Sequence, residues 1–241
     1  MQVLVLSRFN VVHRKVGDAR DRRRMDDRRF NRKWMKARLD LMTRYTASSL
    51  RDQSNKNFDW FVFVQLGTPQ SVMNDIEELG AQVVEVEIDD IEGAQRTVRQ
   101  KRGWVATVNL DTDDAISRDF ISEVHKRARE KEDRFAFLRG CRHREQSDAQ
   151  PWTISYKSET NPFQVVTEPA KDAKTVFNQI HNKPSRMIDT DHPMWLMLLH
   201  GDNIDNRSLE RTKRDVNIFS IISQYFSVHC KQNYGRCTNR S

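Results

Sequence analysis

Three carboxylates crowd into four positions at Asp111-Thr112-Asp113-Asp114, directly after the apolar run Gly103-Trp-Val-Ala-Thr-Val-Asn-Leu. A helix signal follows from Ser117, with Phe120, Ile121 and Val124 on one stripe. Like charges at the end of a buried strand repel one another and resist desolvation, so they need a positive partner. A divalent cation would be one. If the strand continues, Asp111 and Asp113 share a face and Asp114 points the other way. Hard carboxylate oxygens suit Mg²⁺ or Mn²⁺ bound jointly with a substrate phosphate. The same four residues also fit an acidic turn that caps the next helix, and an isolated D-x-D-D does not choose between the two.

A second candidate group lies late in the chain, where the apolar run Met194-Trp-Leu-Met-Leu-Leu ends in His200-Gly201. An imidazole at a strand end is either a satisfied structural group or a metal ligand, and the neighbouring glycine makes His200 the better metal candidate among the histidines.

The elements that must position these groups alternate in type. Val3-Leu-Val-Leu is a strand leading into Ser7-Arg8-Phe9-Asn10, and residues 29–52 carry Phe30, Trp34, Ala37, Leu41 and Tyr45 on one helical stripe. Trp60-Phe-Val-Phe-Val is apolar without a break and reads as a central strand. Thr68-Pro69 looks like an N-cap with proline at the first helical position, ahead of a helix through Val72, Ile76 and Leu79 that Gly80 closes. Gln82-Val-Val-Glu-Val is the next strand, residues 91–102 a short helix, and Trp104 to Leu110 the strand that delivers the acidic cluster. Strand–helix repeated three times demands a mostly parallel sheet with right-handed crossovers, and ligands of such sheets sit outside the carboxyl ends of the strands. Beyond Ser117 the pattern loosens: Phe135–Leu138, 151–156 and 163–167 read as shorter, mixed strands, 170–180 as a helix, and the tail from Arg207 as a helix through Val216, Phe219, Ile222 and Tyr225.

With 241 residues the chain is long enough for one α/β domain with a substantial core. No apolar run approaches transmembrane length, the first residues lack the pattern of a signal peptide, and three cysteines form no C-x-x-C pair, so the expectation is a soluble, cytoplasmic protein of a reducing compartment. The net charge of +7 is concentrated between residues 14 and 38, where Arg20, Arg22, Arg23, Arg24, Arg28, Arg29, Arg32, Lys33 and Lys36 outnumber the acids. That segment is either the solvated face of a helix with the loop before it, or a surface for polyanions: phosphorylated sugar nucleotides, nucleic acid or anionic membrane. G-x-x-x-x-G-K-[ST], G-x-G-x-x-G, G-x-S-x-G and H-E-x-x-H are absent, which removes the main support for phosphate-loop, dinucleotide, serine-hydrolase and zinc-protease readings.

An ordered series of segments carries a family resemblance. Ser7-Arg8-Phe9-Asn10-Val11, Arg44-Tyr45 with Ser48-Ser49-Leu50, Gln53-Ser54-Asn55-Lys56-Asn57-Phe58-Asp59-Trp60, Leu110 to Ile121, and Met194-Trp195-Leu196 with His200-Gly201-Asp202-Asn203 together resemble the putative rhamnosyltransferase family over about residues 1–207. That family is similar to the wider GT-A glycosyltransferases, which carry a D-x-D metal motif. The resemblance implies an α/β, GT-A-like (Rossmann-like) fold: a mostly parallel central sheet flanked by helices, with a smaller mixed acceptor-side region. It divides residues 1–241 into a nucleotide-sugar half at 1–116, an acceptor-side half at 117–207 and a C-terminal helix and tail at 208–241.

The resemblance also implies a nucleotide-diphospho-sugar donor and Mn²⁺ or Mg²⁺. Asp111 and Asp113 would meet the ribose and the metal–diphosphate, Asp114 would complete or buttress the cluster, and His200 would complete the metal sphere. Arg8 and Asn10 are candidate nucleotide contacts. An inverting enzyme needs a carboxylate base, for which Asp191 and Asp189 are the candidates and Glu168 a weaker one. Two positions depart from the family pattern: Gln65-Leu66-Gly67-Thr68 lacks the acidic residue that would help read the base, and Asn109 stands where arginine is common. The acceptor is expected to be a glycan or lipid-linked saccharide. Two alternatives follow from the basic segment: a phage-type transferase acting on modified bases in DNA, and a nonenzymatic nucleic-acid or anion-binding protein.

Overall fold

The structure, a computed structural model, describes residues 1–11, 29–87, 90–144, 152–179, 183–200 and 218–229. The unbroken apolar runs form strands covered on both sides. β1 (Gln2–Arg8) pairs in parallel with β2 (Asp59–Gln65) on one edge and with β4 (Trp104–Asn109) on the other, and β3 (Gln82–Val86) extends the sheet beyond β2. Side chains alternate along β1, so Val3 and Val5 enter one apolar layer and Leu4 and Leu6 the other. β2 does the same with Trp60, Val62 and Val64 against Phe61 and Phe63. A strand that must satisfy two layers has no polar face to show, which is why both read as continuous hydrophobic stretches.

Helices supply the two layers. Asn31 caps α1 (Arg32–Leu41), accepting from the Lys33 and Trp34 N–H groups at 3.0 and 3.1 Å. The helix widens into a π-helical stretch at Met42–Ala47 and ends as α2 (Ser48–Arg51). Met35, Met42 and Leu50 from this helix join Met73 and Ile76 of α3 (Gln70–Glu78) and Phe120, Ile121 and Val124 of α5 (Phe120–Arg127) in one layer. Ala94 and Val98 of α4 (Asp90–Arg99) meet Val176 and Phe177 of α6 (Thr175–Gln179) in the other.

The later chain completes this sheet and builds a second one. β6 (Asp133–Phe137), β9 (Gln164–Pro169) and β10 (Arg186–Ile188) give a seven-stranded order β10-β6-β9-β4-β1-β2-β3 in which β9 alone runs antiparallel to its neighbours. β5 (Ala115–Ile116), β7 (Arg139–Arg144), β8 (Trp152–Lys157) and β11 (Trp195–Leu199) form a mixed four-stranded sheet in the order β5-β11-β7-β8. The expected α/β architecture is therefore present: a mostly parallel central sheet flanked by helices, with a smaller mixed region.

β5 belongs to the second sheet, while β6, β9 and β10 complete the first. Several local expectations are corrected. Thr68 is not the helix cap: its hydroxyl donates to the Gln65 carbonyl at 2.6 Å, and α3 begins after Pro69 without a side-chain cap. The helix expected over 170–180 is a 3₁₀ turn at Ala170–Asp172 followed by the short α6. β7 was not foreseen, because Arg139-Gly-Cys-Arg-His-Arg has no apolar run to announce it. Of the tail helix, α7 (Ile218–Tyr225) is described and residues 201–217 lie outside the described residues. Cys141 is buried, which pushes its thiol up to about 12 and leaves it unreactive; Cys230 and Cys237 lie outside the described residues. Among the described residues no helix is long and apolar enough to cross a membrane.

One close contact locks the second sheet to the core. Gly140 of β7 lies opposite Trp195 of β11, and a Cβ on Gly140 would stand 2.0 Å from the indole. The indole cannot easily retreat, because it stacks on Phe163 at 5.1 Å and donates from Nε1 to the Phe137 carbonyl at 2.9 Å. Gly140→Ala is therefore expected to destabilise the protein by about 1–3 kcal/mol through overpacking. An unchanged midpoint in denaturant unfolding would show that the ring moves aside at no cost.

Candidate active site

The acidic cluster sits at the carboxyl end of β4, at the edge where parallel sheets bind ligands. β4 stops at Asn109 and the chain turns at residues 112–113, so the strand parity that placed Asp111 and Asp113 on one face does not apply. The turn is tied down from three directions. The Asp114 N–H donates to the Asp111 carbonyl at 3.1 Å, the Thr112 hydroxyl to the Arg8 carbonyl at 3.0 Å, and the Thr46 hydroxyl to the Asp114 carbonyl at 2.9 Å. Thr46 belongs to the π-helical stretch, a distortion that recurs at functional sites.

The three carboxylates have different partners. Oδ2 of Asp113 accepts from Arg38 Nη1 at 2.7 Å and lies 2.7 Å from His200 Nε2. Oδ1 of Asp114 accepts from the Leu198 N–H of β11 at 2.8 Å, so this residue buttresses the loop against the second sheet. Asp111 lies between the charges of Asp113, Arg8 and Arg38 and receives a hydrogen bond from the Asn109 side chain. Asn109 thus works as a donor here, its amide also reaching the Pro162 carbonyl at 3.1 Å.

Burial and mutual repulsion set the electrostatics. Burial pushes Asp111 and Asp114 above the usual carboxylate range, and the charge of Asp113 adds to the shift in each. Burial would raise Asp113 as well, but the Arg38 guanidinium and the His200 contact outweigh it and hold Asp113 low. One carboxylate is thus kept ionised while its neighbours resist ionisation, a crowding that an added cation would relieve. Oxygen donors beside an imidazole suit Mg²⁺ or Mn²⁺ chemically. Among the described residues no three His, Cys, Asp or Glu side chains converge closely enough to hold a metal ion, so a cation here would need oxygens from the substrate as well.

Arg38 is the residue that sequence reasoning missed. It lies at the end of the basic segment 14–38, expected to be a solvated helix face or a polyanion surface, yet it turns inward and also donates from Nε to Thr112 Oγ1 at 2.9 Å. A signal was present: Met35, Arg38, Met42 and Tyr45 follow the three–four–three spacing of a buried helical stripe, and the other three are 3%, 0% and 0% exposed. Arg32, Lys33 and Lys36 point to solvent, and residues 14–28 lie outside the described residues.

The remaining candidates are not all brought here. Arg8 ends β1, its guanidinium 3.7 Å over the Phe177 ring, and its charge lowers Asp111. Asn10 is buried and committed to structure: it donates to Thr68 Oγ1 at 2.9 Å and to the Arg29 carbonyl at 3.3 Å, and accepts from the Gln65 N–H at 2.9 Å. It joins the ends of β1 and β2. Asp189 is exposed and paired with Arg139 and Lys157 at 2.6 Å each; hydrogen bonds from these two residues hold its carboxyl down to about 2. Asp191 also feels the Arg139 charge. Arg139 adjoins Gly140, the partner of Trp195, so both aspartates stand at the start of β11, whereas His200 follows its end. Five strand residues separate the two ends by about 17 Å. Glu168 lies at the opposite edge of the sheet, beside the pairing of Pro169 with Trp104, and accepts from the Lys174 and Thr175 N–H groups at 2.8 and 2.7 Å. It holds the turn in which Thr175 adopts φ 64°, and is structural. A cavity of about 660 Å³ lined by Ser117, Arg118, Asp119, His192, Gln224 and Tyr225 also lies toward the start of β11.

Asn10→Ala should lower stability by about 1–3 kcal/mol, because it strips partners from buried polar groups. Thermal unfolding measures this, and an unchanged melt together with weakened nucleotide binding would return Asn10 to the ligand.

No curated protein sequence matches this chain. Among solved structures, the crystal structure of S. aureus TarS aligns with a TM-score of 0.41 at 13% identity, over 83% of this chain and 37% of that one. The chain thus spans well under half the length of that protein, and the likeness is too distant to bear on the site. Residues 2–212 match the family model described as "Putative rhamnosyl transferase", and the chain belongs to that family.

Proposed function

We propose that the protein is a metal-dependent glycosyltransferase that moves a sugar from a nucleotide-diphospho-sugar to a hydroxyl of a glycan or lipid-linked saccharide. The family description favours a deoxyhexose such as rhamnose as the sugar. The observation that carries the reading is the meeting of Arg38, Asp113 and His200 at the carboxyl end of β4, from three distant parts of the chain. A family match alone names a chemistry, whereas this meeting supplies groups that can perform it.

In the transfer, the bond from the sugar C1 to the diphosphate oxygen breaks with its electron pair on that oxygen. The acceptor hydroxyl oxygen bonds to C1 and gives up its proton to a carboxylate base, for which Asp191 is a better candidate than Asp189, whose carboxyl is held by Arg139 and Lys157. Charge therefore collects on the departing diphosphate, and the site must offset it. Asp113 and His200, which already meet, would hold Mn²⁺ or Mg²⁺ jointly with oxygens of the donor diphosphate, with Asp111 beside them, and the ion when bound acts as a Lewis acid on the leaving group. Asp114 keeps the loop fixed against β11 through the Leu198 N–H, and Thr46 fixes it from the π-helical side. Arg8 contributes positive charge at the end of β1, stiffened by its stacking on Phe177.

The test is donor hydrolysis across a panel of nucleotide sugars, with and without Mn²⁺. Wild-type protein is expected to release nucleoside diphosphate from at least one donor only when the metal is present. Asp113→Asn should lower that rate by about two orders of magnitude or more, the scale of losing one preorganised electrostatic group. His200→Ala should weaken Mn²⁺ binding while the fold is kept. Metal-independent turnover, or full activity in Asp113→Asn, would refute the assignment.

A further inference from the structure

Arg38 is anchored through part of its guanidinium. Nε and Nη1 are committed to Thr112 and Asp113, whereas Nη2 has no partner among the described residues and is not sealed from solvent. The side chain keeps 19% of its surface exposed. Thr112 is itself tied to the Arg8 carbonyl, so the plane of the guanidinium is set by β1 and the acidic turn together. Nη1 and Nη2 together make the end-on fork that meets phosphate oxygens in a planar two-bond geometry, and only the Nη1 bond to Asp113 has to break to free it.

Its present partner is also the carboxylate that a cation would need. Both Arg38 and His200 use the same oxygen of Asp113. A divalent cation entering beside Asp113 would repel the guanidinium, and a diphosphate entering with it would attract the guanidinium. Both forces push the same way.

On the reading of the site as a glycosyltransferase, we propose that Arg38 is an exchangeable counter-charge: it neutralises Asp113 in the empty site and transfers to the donor diphosphate in the loaded one. When the C1–O bond breaks, its electron pair stays on the leaving diphosphate oxygen, and the N–H groups of Arg38 donate hydrogen bonds to the charge that collects there. Arg38 gives up no proton, since a guanidinium stays charged throughout the working range. The arginine thereby protects the acidic turn when no donor is bound and assists departure when one is.

This role predicts effects of opposite sign that a structural prop would not produce. Calorimetry would follow Mn²⁺ alone, and then UDP, GDP and dTDP at saturating Mn²⁺, on wild type, Arg38→Ala and Arg38→Lys. Arg38→Ala should bind Mn²⁺ alone more tightly, having lost the competitor on Asp113. The same variant should bind the preferred nucleoside diphosphate about tenfold or more weakly, the scale of a lost hydrogen bond from a charged donor. Arg38→Lys should keep part of both properties, because it retains the charge without the planar fork. If Mn²⁺ and nucleotide affinity fall together, or neither changes, the exchange is overturned. Should Arg38→Ala fail to fold, Arg38→Lys still decides: looser nucleotide binding with tighter Mn²⁺ supports the exchange, and parallel changes overturn it. A wild-type protein that binds no nucleoside diphosphate and hydrolyses no donor would instead overturn the glycosyl-transfer reading, and this proposal with it.

Discussion

Three carboxylates crowded at the end of one strand, two of them buried, must be compensated, and much of the site's construction follows from that need. An unpaired buried charge costs several kcal/mol, comparable to the whole stability of a domain. Asp113 stays ionised because Arg38 approaches from the first helix and His200 from the end of β11. Asp111 and Asp114 lack such direct pairing and are shifted upward by burial and by Asp113. The cluster is thus a place of stored electrostatic demand, satisfied in part by protein cations and open to satisfaction by others.

That demand explains features that look odd in isolation. A charged residue interrupts the buried stripe of α1 because its guanidinium is needed at the acidic turn. The helix carries a π-helical stretch where Thr46 reaches the backbone of the same turn. The second sheet also has a reason to end where it does: β11 supplies the Leu198 N–H to Asp114, and the next residue but one is His200. Gly140 lets β11 approach β7 closely enough for Trp195 to seat against Phe163, which fixes the strand from which His200 extends. Packing in the second sheet and chemistry at the first are one connected problem.

Asn10, Asp189 and Glu168 show how readily a candidate residue is taken up by the fold. Each is polar and lies near a strand end, and each finds an ordinary structural partner. Asn10 spends its amide joining two strands, Glu168 holds a strained turn, and Asp189 is drawn to Arg139 and Lys157. A side chain capable of catalysis is far commoner than one placed to perform it, and placement depends on which cations and N–H groups the fold happens to bring near.

Local physics made the central sheet legible. Runs such as Trp60-Phe-Val-Phe-Val can only be strands covered on both faces, glycines close the connecting helices, and a crowded acidic turn at a strand end announces a site. The chain on its own therefore determined the α/β class, the order of the early elements, the location of the carboxylates and the suspicion attached to His200. It did not determine register between distant segments, because one-dimensional pattern carries no information on which helix face meets which loop. That Arg38 and His200, separated from Asp113 by 75 and 87 residues, converge on one carboxylate oxygen was decided only when two sheets and a helix packed around a charge that could not be buried alone.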